Sequence, residues 1–360
     1  MSRNTHVLLY RGLARLATQS GIGEAIRHQQ RTLALTGRTV TSQVFGQWDV
    51  VHLNTVFPDT PLLVLLARLR RRRVVLWAHS TEEDFRNSFR GSNLLSPLFR
   101  RWITLLYRMG DVVITPTAYA RDLIRSYGLP GRVRVLSNGV DTQFFTPDDG
   151  AGRDFRRRHG IAQDAQLVVS AGLQIARKGI LDWIELARSR PQMQFWWFGH
   201  TDPVLLDPAV RTAMQGAPDN CVFPGYVPAA ELRDAYRAAD VFAFLTHEET
   251  EGLVLLEALA CGAPVLLRDI PLYADWLPDG EVVHKAGGTG SRFVTAAGRT
   301  LDAMLNGDLP DLRAAGRRAA QNLDFTAVAG DLDRIYREEV LDPPEAATPR
   351  TPSQAGNIAN

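Results

Sequence analysis

Short apolar runs recur along this chain, separated by longer stretches with helical spacing. The first half carries such runs at His6–Tyr10, Val50–Thr55, Val74–Ser80, Asp111–Pro116 and from Val133. The second half restarts with Leu167–Gly172, Phe195–His200, Phe223–Val227, Val241–Leu245 and a run from Val265. Runs of this length, apolar throughout rather than alternating, are what strands buried on both faces of a parallel sheet require. Between them lie helical patterns over Ile26–Leu35, Leu94–Met109, Pro228–Ala238 and Leu253–Ala260, and further ones from Ser291 to Val340. Strand and helix alternate, so the fold class is α/β. At 360 residues the chain suits two domains.

The most informative unit is His247–Leu266. An apolar strand ends at Leu245, acidic residues and Gly252 mark a turn, a helix follows, and Gly262 with Pro264 stops it before the next strand. Ligands of parallel sheets bind at the carboxyl ends of the strands, where this acidic loop lies. Glu249 sits on the loop and Glu257 inside the helix. A carboxylate at Glu257, between Leu-Val-Leu-Leu and Ala-Leu-Ala, needs a polar partner, and a ligand hydroxyl would supply one. Glu248 and Glu251 fit equally well a ligand-binding role and the preference of acidic residues for a first helical turn.

Other strand ends carry candidate chemistry. Gly21 and Gly23 stand at a turn before the first helix, where backbone N–H groups can approach a phosphate or sugar, although the full dinucleotide fingerprint is missing. His79 closes a strand and is placed either to contact a substrate or to fill a structural role. Gly172 ends another strand, and Arg177 and Lys178 follow it at a helix start. The chain holds 39 arginines and two lysines, so a lysine at this position stands out. Two cations at a helix N-terminus make a diphosphate site.

Charge is uneven. Net charge is +2, yet residues 61–135 hold 14 arginines against 5 acids, a bias suited to an anionic lipid surface. Leu94, Leu95, Leu98, Trp102, Leu105 and Leu106 interleave with Arg100, Arg101 and Arg108, as in an interfacial helix or a core-facing helix with a basic exterior. No nucleic-acid motif accompanies the arginines. No apolar run reaches the roughly 20 residues that span a bilayer. Two cysteines, Cys221 and Cys261, have no metal spacing, and no metal or cofactor is expected. The short polar start before the first strand leads us to expect a cytoplasmic protein.

Glu249-x7-Glu257 followed by Ala258–Val265 resembles the signature of retaining GT-B glycosyltransferases. Glu248–Ala260 together with Arg268–Trp276 resembles, more narrowly, the bacterial 1,2-diacylglycerol 3-alpha-glucosyltransferases. The resemblance covers most of residues 6–285. It implies two Rossmann-like domains facing across a cleft: an acceptor domain over 1–145, a linker over 146–165, a nucleotide-sugar domain over 166–325, a crossing helix over 326–341 and a disordered tail over 342–360. It also implies transfer of glucose from UDP-glucose to diacylglycerol at the inner face of the membrane, with no separate cofactor. His79, Glu249, Lys178 and Arg177 would be catalytic. Gly21, Gly23, Gly172, Arg177, Lys178, Tyr226, Val227, Glu249, Gly252, Leu253 and Glu257 would bind the nucleotide sugar. The family pattern places an arginine directly after the first glycine, where this chain has Leu173, so the cations shift to Arg177 and Lys178. Another acceptor or donor, a nucleotide-sugar epimerase, and a catalytically silent membrane-binding protein stand as alternatives.

Overall fold

The computed structural model describes residues 5–13, 21–129 and 133–341. The tail expected at 342–360 lies outside the described residues. Two six-stranded parallel sheets organise the chain. The first contains β1 (His6–Tyr10), β2 (Thr39–Thr41), β3 (Val50–Leu53), β4 (Arg73–Trp77), β5 (Val112–Thr115) and β6 (Val133–Val135). Its connections include α1 (Gly21–Leu35), α2 (Thr60–Leu69), the short α3 (Glu82–Phe85), α4 (Ser92–Arg108) and α5 (Ala118–Ser126). Helix α6 (Asp149–Arg158) follows, inside the segment expected as linker. Its Arg156 is buried and donates to the carbonyl oxygens of Ala162, Ala165 and Ala238.

The second sheet contains β7 (Leu167–Ala171), β8 (Gln194–Phe198), β9 (Cys221–Gly225), β10 (Val241–Phe244), β11 (Val265–Arg268) and β12 (His284–Ala286). Around it lie α7 (Ile180–Arg188), α8 (Pro208–Gln215), α9 (Ala229–Ala238), α10 (Leu253–Ala260), α11 (Gly290–Asn306), α12 (Arg313–Gln321) and α13 (Phe325–Ile335). The predicted two Rossmann-like domains are therefore present. Val50–Leu53, Val112–Thr115, Leu167–Ala171 and Val241–Phe244 are buried along their whole length, the physical basis of their unbroken apolar runs.

Strand order places the site. The sheets run β2-β1-β3-β4-β5-β6 and β12-β11-β10-β7-β8-β9. Connectivity reverses between β1 and β3 in one and between β7 and β10 in the other, and a crevice opens at the carboxyl ends of the strands at each reversal. The loops after β3, β7 and β10 meet there. Helix α13 returns to the first domain: Val328, Leu332 and Ile335 share a core with Val7, Leu9 and Ile26. Among the described residues, no helix is long and apolar enough to cross a membrane.

Candidate active site between the two domains

A cavity of about 430 Å³ lies between the domains. One wall comes from the loop after β10, which carries Glu249, and from the single 3-10 turn Ala176–Lys178 after β7. The Lys178 ammonium pairs with the Glu249 carboxylate, whose other oxygen accepts the Thr250 N–H at 3.1 Å. Burial, reinforced by neighbouring Arg177, pushes the Lys178 pKa down to about 7. Gly252 then turns the chain into α10 with φ of 96°, and a Cβ there would stand 2.9 Å from the Tyr273 hydroxyl. No side chain caps α10. Its first turn, with Leu253 and Val254 on the cavity wall, therefore presents backbone N–H groups toward any anion bound there.

One turn further along α10, Glu257 is 6% exposed and accepts the Tyr236 hydroxyl at 3.0 Å. Burial raises its pKa to about 7, and the nearby Glu24 carboxylate adds to the shift. Glu257 faces a second, adjoining pocket with Gly172, Phe198, Gly199, Tyr226 and Val227. Gly199 has φ of 121°, and a Cβ on it would fall 2.1 Å from the Gly172 carbonyl oxygen, so only glycine lets β7 and β8 end side by side here. Helix α1 reaches across from the first domain and adds Glu24 and Arg27 to this pocket.

The facing wall is built by the first domain. His79, at the end of β4, is buried, with Nε2 3.3 Å from Asn54 Oδ1 and 3.1 Å from Gln29 Nε2. Burial lowers its pKa to about 3, so the imidazole is neutral at physiological pH. Asn54, Thr55 and Ser80 add polar groups beside it. The same domain also contributes apolar lining, Val56, Phe57, Phe85, Phe89 and Phe99, with Phe85 and Phe99 stacked at 4.2 Å.

Most of the candidate residues converge on these two adjoining pockets. Gly21 and Gly23 differ from expectation: they lie inside the first turn of α1, not in a loop before it, because the helix begins five residues before Ile26. Gly21 still lines the cavity, as the first residue of a 15-residue helix. Arg177 lines the cavity and also reaches across it. Its guanidinium turns to the first domain, with NH1 2.7 Å from Asp84 Oδ1 and Nε donating to Ser88 Oγ at 2.8 Å. Glu248 and Glu251 are not first-turn residues at all, since α10 starts at Leu253. Glu248 accepts the Tyr119 hydroxyl at 3.0 Å. Glu251 accepts from Ser137 Oγ, from the Asn138 N–H at 3.1 Å and from Asn138 Nδ2 at 2.7 Å. Sequence reasoning missed these interdomain roles and that of Asp84, because each partner lies far away along the chain, and it missed Glu24, which pairs locally with Arg27 and His28 but enters the pocket of the other domain. Among the described residues, no group of three His, Cys, Asp or Glu could hold a metal ion.

Comparison with known proteins agrees with this geometry. Residues 23–144 match the family described as Glycosyltransferase Family 4, and residues 153–314 match Glycosyl transferases group 1. The Processive diacylglycerol alpha-glucosyltransferase of Acholeplasma laidlawii is 33% identical over 336 residues, 93% of this chain and 98% of that protein. Sucrose-phosphate synthase from Thermosynechococcus elongatus has the same fold at a TM-score of 0.76 and 18% identity, over 92% of this chain and 98% of that one. The Anabaena protein HepE in complex with UDP and glucose superposes with a TM-score of 0.72 at 15% identity, over 92% and 99% of the two chains. Two facing parallel sheets, a crevice between them and a full-length relative lead to one conclusion: the chain belongs to the GT-B glycosyltransferases, with a family 4 domain followed by a group 1 domain.

Proposed function

We propose that the protein transfers glucose from UDP-glucose to the 3-hydroxyl of 1,2-diacylglycerol with retention, working at the cytoplasmic membrane surface. The observation that carries this reading is the mixed lining of one cavity, with Lys178 and Glu249 from one domain and four phenylalanines, Phe57, Phe85, Phe89 and Phe99, from the other. A nucleotide sugar matches the first group and a lipid alcohol the second. The glucosyl specificity and the lipid class follow the Acholeplasma relative.

In this mechanism Lys178 and the N-terminal turns of α10 and α1 receive the diphosphate and stabilise its charge as it leaves. Glu257 accepts the ribose hydroxyls, with Tyr226 and Val227 beside the base. Glu249, released from Lys178 by the diphosphate, accepts sugar hydroxyls. Neutral His79, fixed by Asn54 and Gln29, supports the reacting face. The C1–O bond to the diphosphate breaks, a C1–O bond to the lipid oxygen forms on the same face, and the hydroxyl proton passes to the departing diphosphate. UDP and α-glucosyl-diacylglycerol result.

The outer face of the acceptor domain suits a bilayer. Helices α2 and α4 pack into the same core, yet Leu62, Leu65, Leu69, Leu94, Leu95, Leu98 and Leu105 are exposed, Leu94 by 86%. Arg101 and Arg108 are exposed beside them. Apolar side chains with a basic fringe bind anionic interfaces through both area and charge. The double replacement Leu94→Glu and Leu98→Glu is expected to weaken binding to phosphatidylglycerol vesicles by about tenfold or more. Unaltered sedimentation with such vesicles would refute the membrane face.

The deciding experiment measures UDP release from UDP-glucose with and without diacylglycerol in anionic micelles, followed by mass analysis of the lipid. A lipid-dependent signal and a hexosyl-diacylglycerol product are expected. UDP release without glycolipid would refute the acceptor, and no release from UDP-glucose would refute the donor.

A further inference from the structure

We infer that Arg177 is an acceptor-positioning residue: it fastens segment 84–89 of the first domain onto the donor loop, and the diphosphate is left to Lys178 and the helix N-termini. The inference rests on the function proposed above and assigns one residue of that site.

Arg177 is 8% exposed, and its Nε and NH1 reach partners on both sides of the cleft, NH1 also lying 4.0 Å from Glu249 Oε2. Nε donates to Ser88 Oγ, and NH1 serves both Asp84 Oδ1 and the Glu248 carbonyl at 2.7 Å each. Its backbone N–H donates to the Asn87 carbonyl at 3.1 Å, and its own carbonyl accepts the His247 N–H at 2.8 Å. One residue thus ties Asp84, Asn87 and Ser88 of the acceptor segment to the loop that carries Glu249.

The acceptor segment is shaped for this contact. Asn87 has φ of 54°, one of two non-glycine residues with positive φ among the described residues. Asparagine tolerates that conformation better than most residues. A reciprocal pair holds it there: the Asn87 N–H donates to Asn93 Oδ1, and Asn93 Nδ2 donates to Asn87 Oδ1, both at 2.8 Å. Asp84, Phe85, Ser88 and Phe89 all line the cavity, so the grip of Arg177 sets the shape of its acceptor end. A lysine cannot make these contacts together, because the planar fork supplies donors in fixed directions.

Charge bears on the distinction from diphosphate binding. Burial and then the neighbouring guanidinium depress the Lys178 pKa, so removing Arg177 raises the charged fraction of Lys178 and offsets the loss of positive charge at the anion site. A diphosphate ligand predicts the opposite, loss of nucleotide affinity on removal.

The test compares the full-length protein with its Arg177→Ala, Arg177→Lys and Asp84→Asn variants. UDP affinity is read by titration calorimetry and KM for dioleoylglycerol in mixed micelles. We expect UDP Kd within about threefold of wild type in all variants, with acceptor KM raised about tenfold in Arg177→Ala, not rescued by lysine, and raised several-fold in Asp84→Asn. A tenfold loss of UDP affinity in Arg177→Ala, or an unchanged acceptor KM in Asp84→Asn, overturns the inference. Failure of the wild type to glucosylate dioleoylglycerol would refute the proposed function alone, and the UDP titration would still decide whether Arg177 is a diphosphate ligand.

Discussion

Replacing Lys178 by glutamine is expected to lower kcat by about 10²–10³-fold, because one buried donor to a developing charge contributes on that order. With Arg177 turned to Asp84 and Leu173 apolar, Lys178 is the cation whose ammonium lies beside Glu249 at the donor end. The effect also has a pH signature. The Lys178 pKa stands at about 7 in the free protein, and a bound diphosphate favours its charged form. Donor binding above neutrality must therefore take up a proton, and kcat/KM falls as pH rises past 7. Glu257, also at about 7, binds ribose hydroxyls best as a carboxylate, so kcat/KM falls as pH drops below 7. A narrow bell centred near neutrality is expected. The basic limb should vanish in Lys178→Gln and the acid limb in Glu257→Gln. Persistence of the basic limb in Lys178→Gln would remove Lys178 from the role assigned to it.

Glu251→Ala is expected to destabilise the protein by about 3 kcal/mol, in the range for breaking a buried hydrogen-bonded charge. The carboxylate is 3% exposed and serves Ser137 Oγ, the Asn138 N–H and Asn138 Nδ2. Alanine leaves those donors buried with nothing to accept them. Relief of the burial that raises the Glu251 pKa offsets part of the cost. Glu251→Gln keeps one acceptor oxygen and should lose less. A lower urea midpoint at unchanged slope would report this loss. Because the contact spans the two domains, acceptor KM should rise in parallel. An unaltered midpoint in Glu251→Ala would mean that the interdomain contact contributes nothing to stability.

The parts of the site that were legible from residues alone are those formed by neighbours in sequence. Gly252 and Glu257 are fixed relative to each other by one helix, and an apolar helix around a carboxylate already signals a polar partner. Strand ends at His79 and Gly172 were legible for the same reason, since an unbroken apolar run that stops at polar residues marks where a parallel strand reaches its crevice. The start of α1 was misplaced because Gly21 and Gly23 have poor intrinsic helix propensity, which packing against the first domain and α13 overrides.

The sequence by itself determined the alternation of buried strands and amphipathic helices, the crevice loops that carry Lys178, Glu249 and Glu257, and the uneven basic charge of the first domain. All of these are properties of local spacing and composition. Only the tertiary structure decided which way Arg177 faces, that Glu248 and Glu251 clasp the first domain, and that Phe57, Phe85, Phe89 and Phe99 line the same cavity as Lys178 and Glu249. Those outcomes depend on how two separately folded sheets meet. The contacts join side chains up to 129 positions apart, and nothing in local periodicity specifies such a pairing.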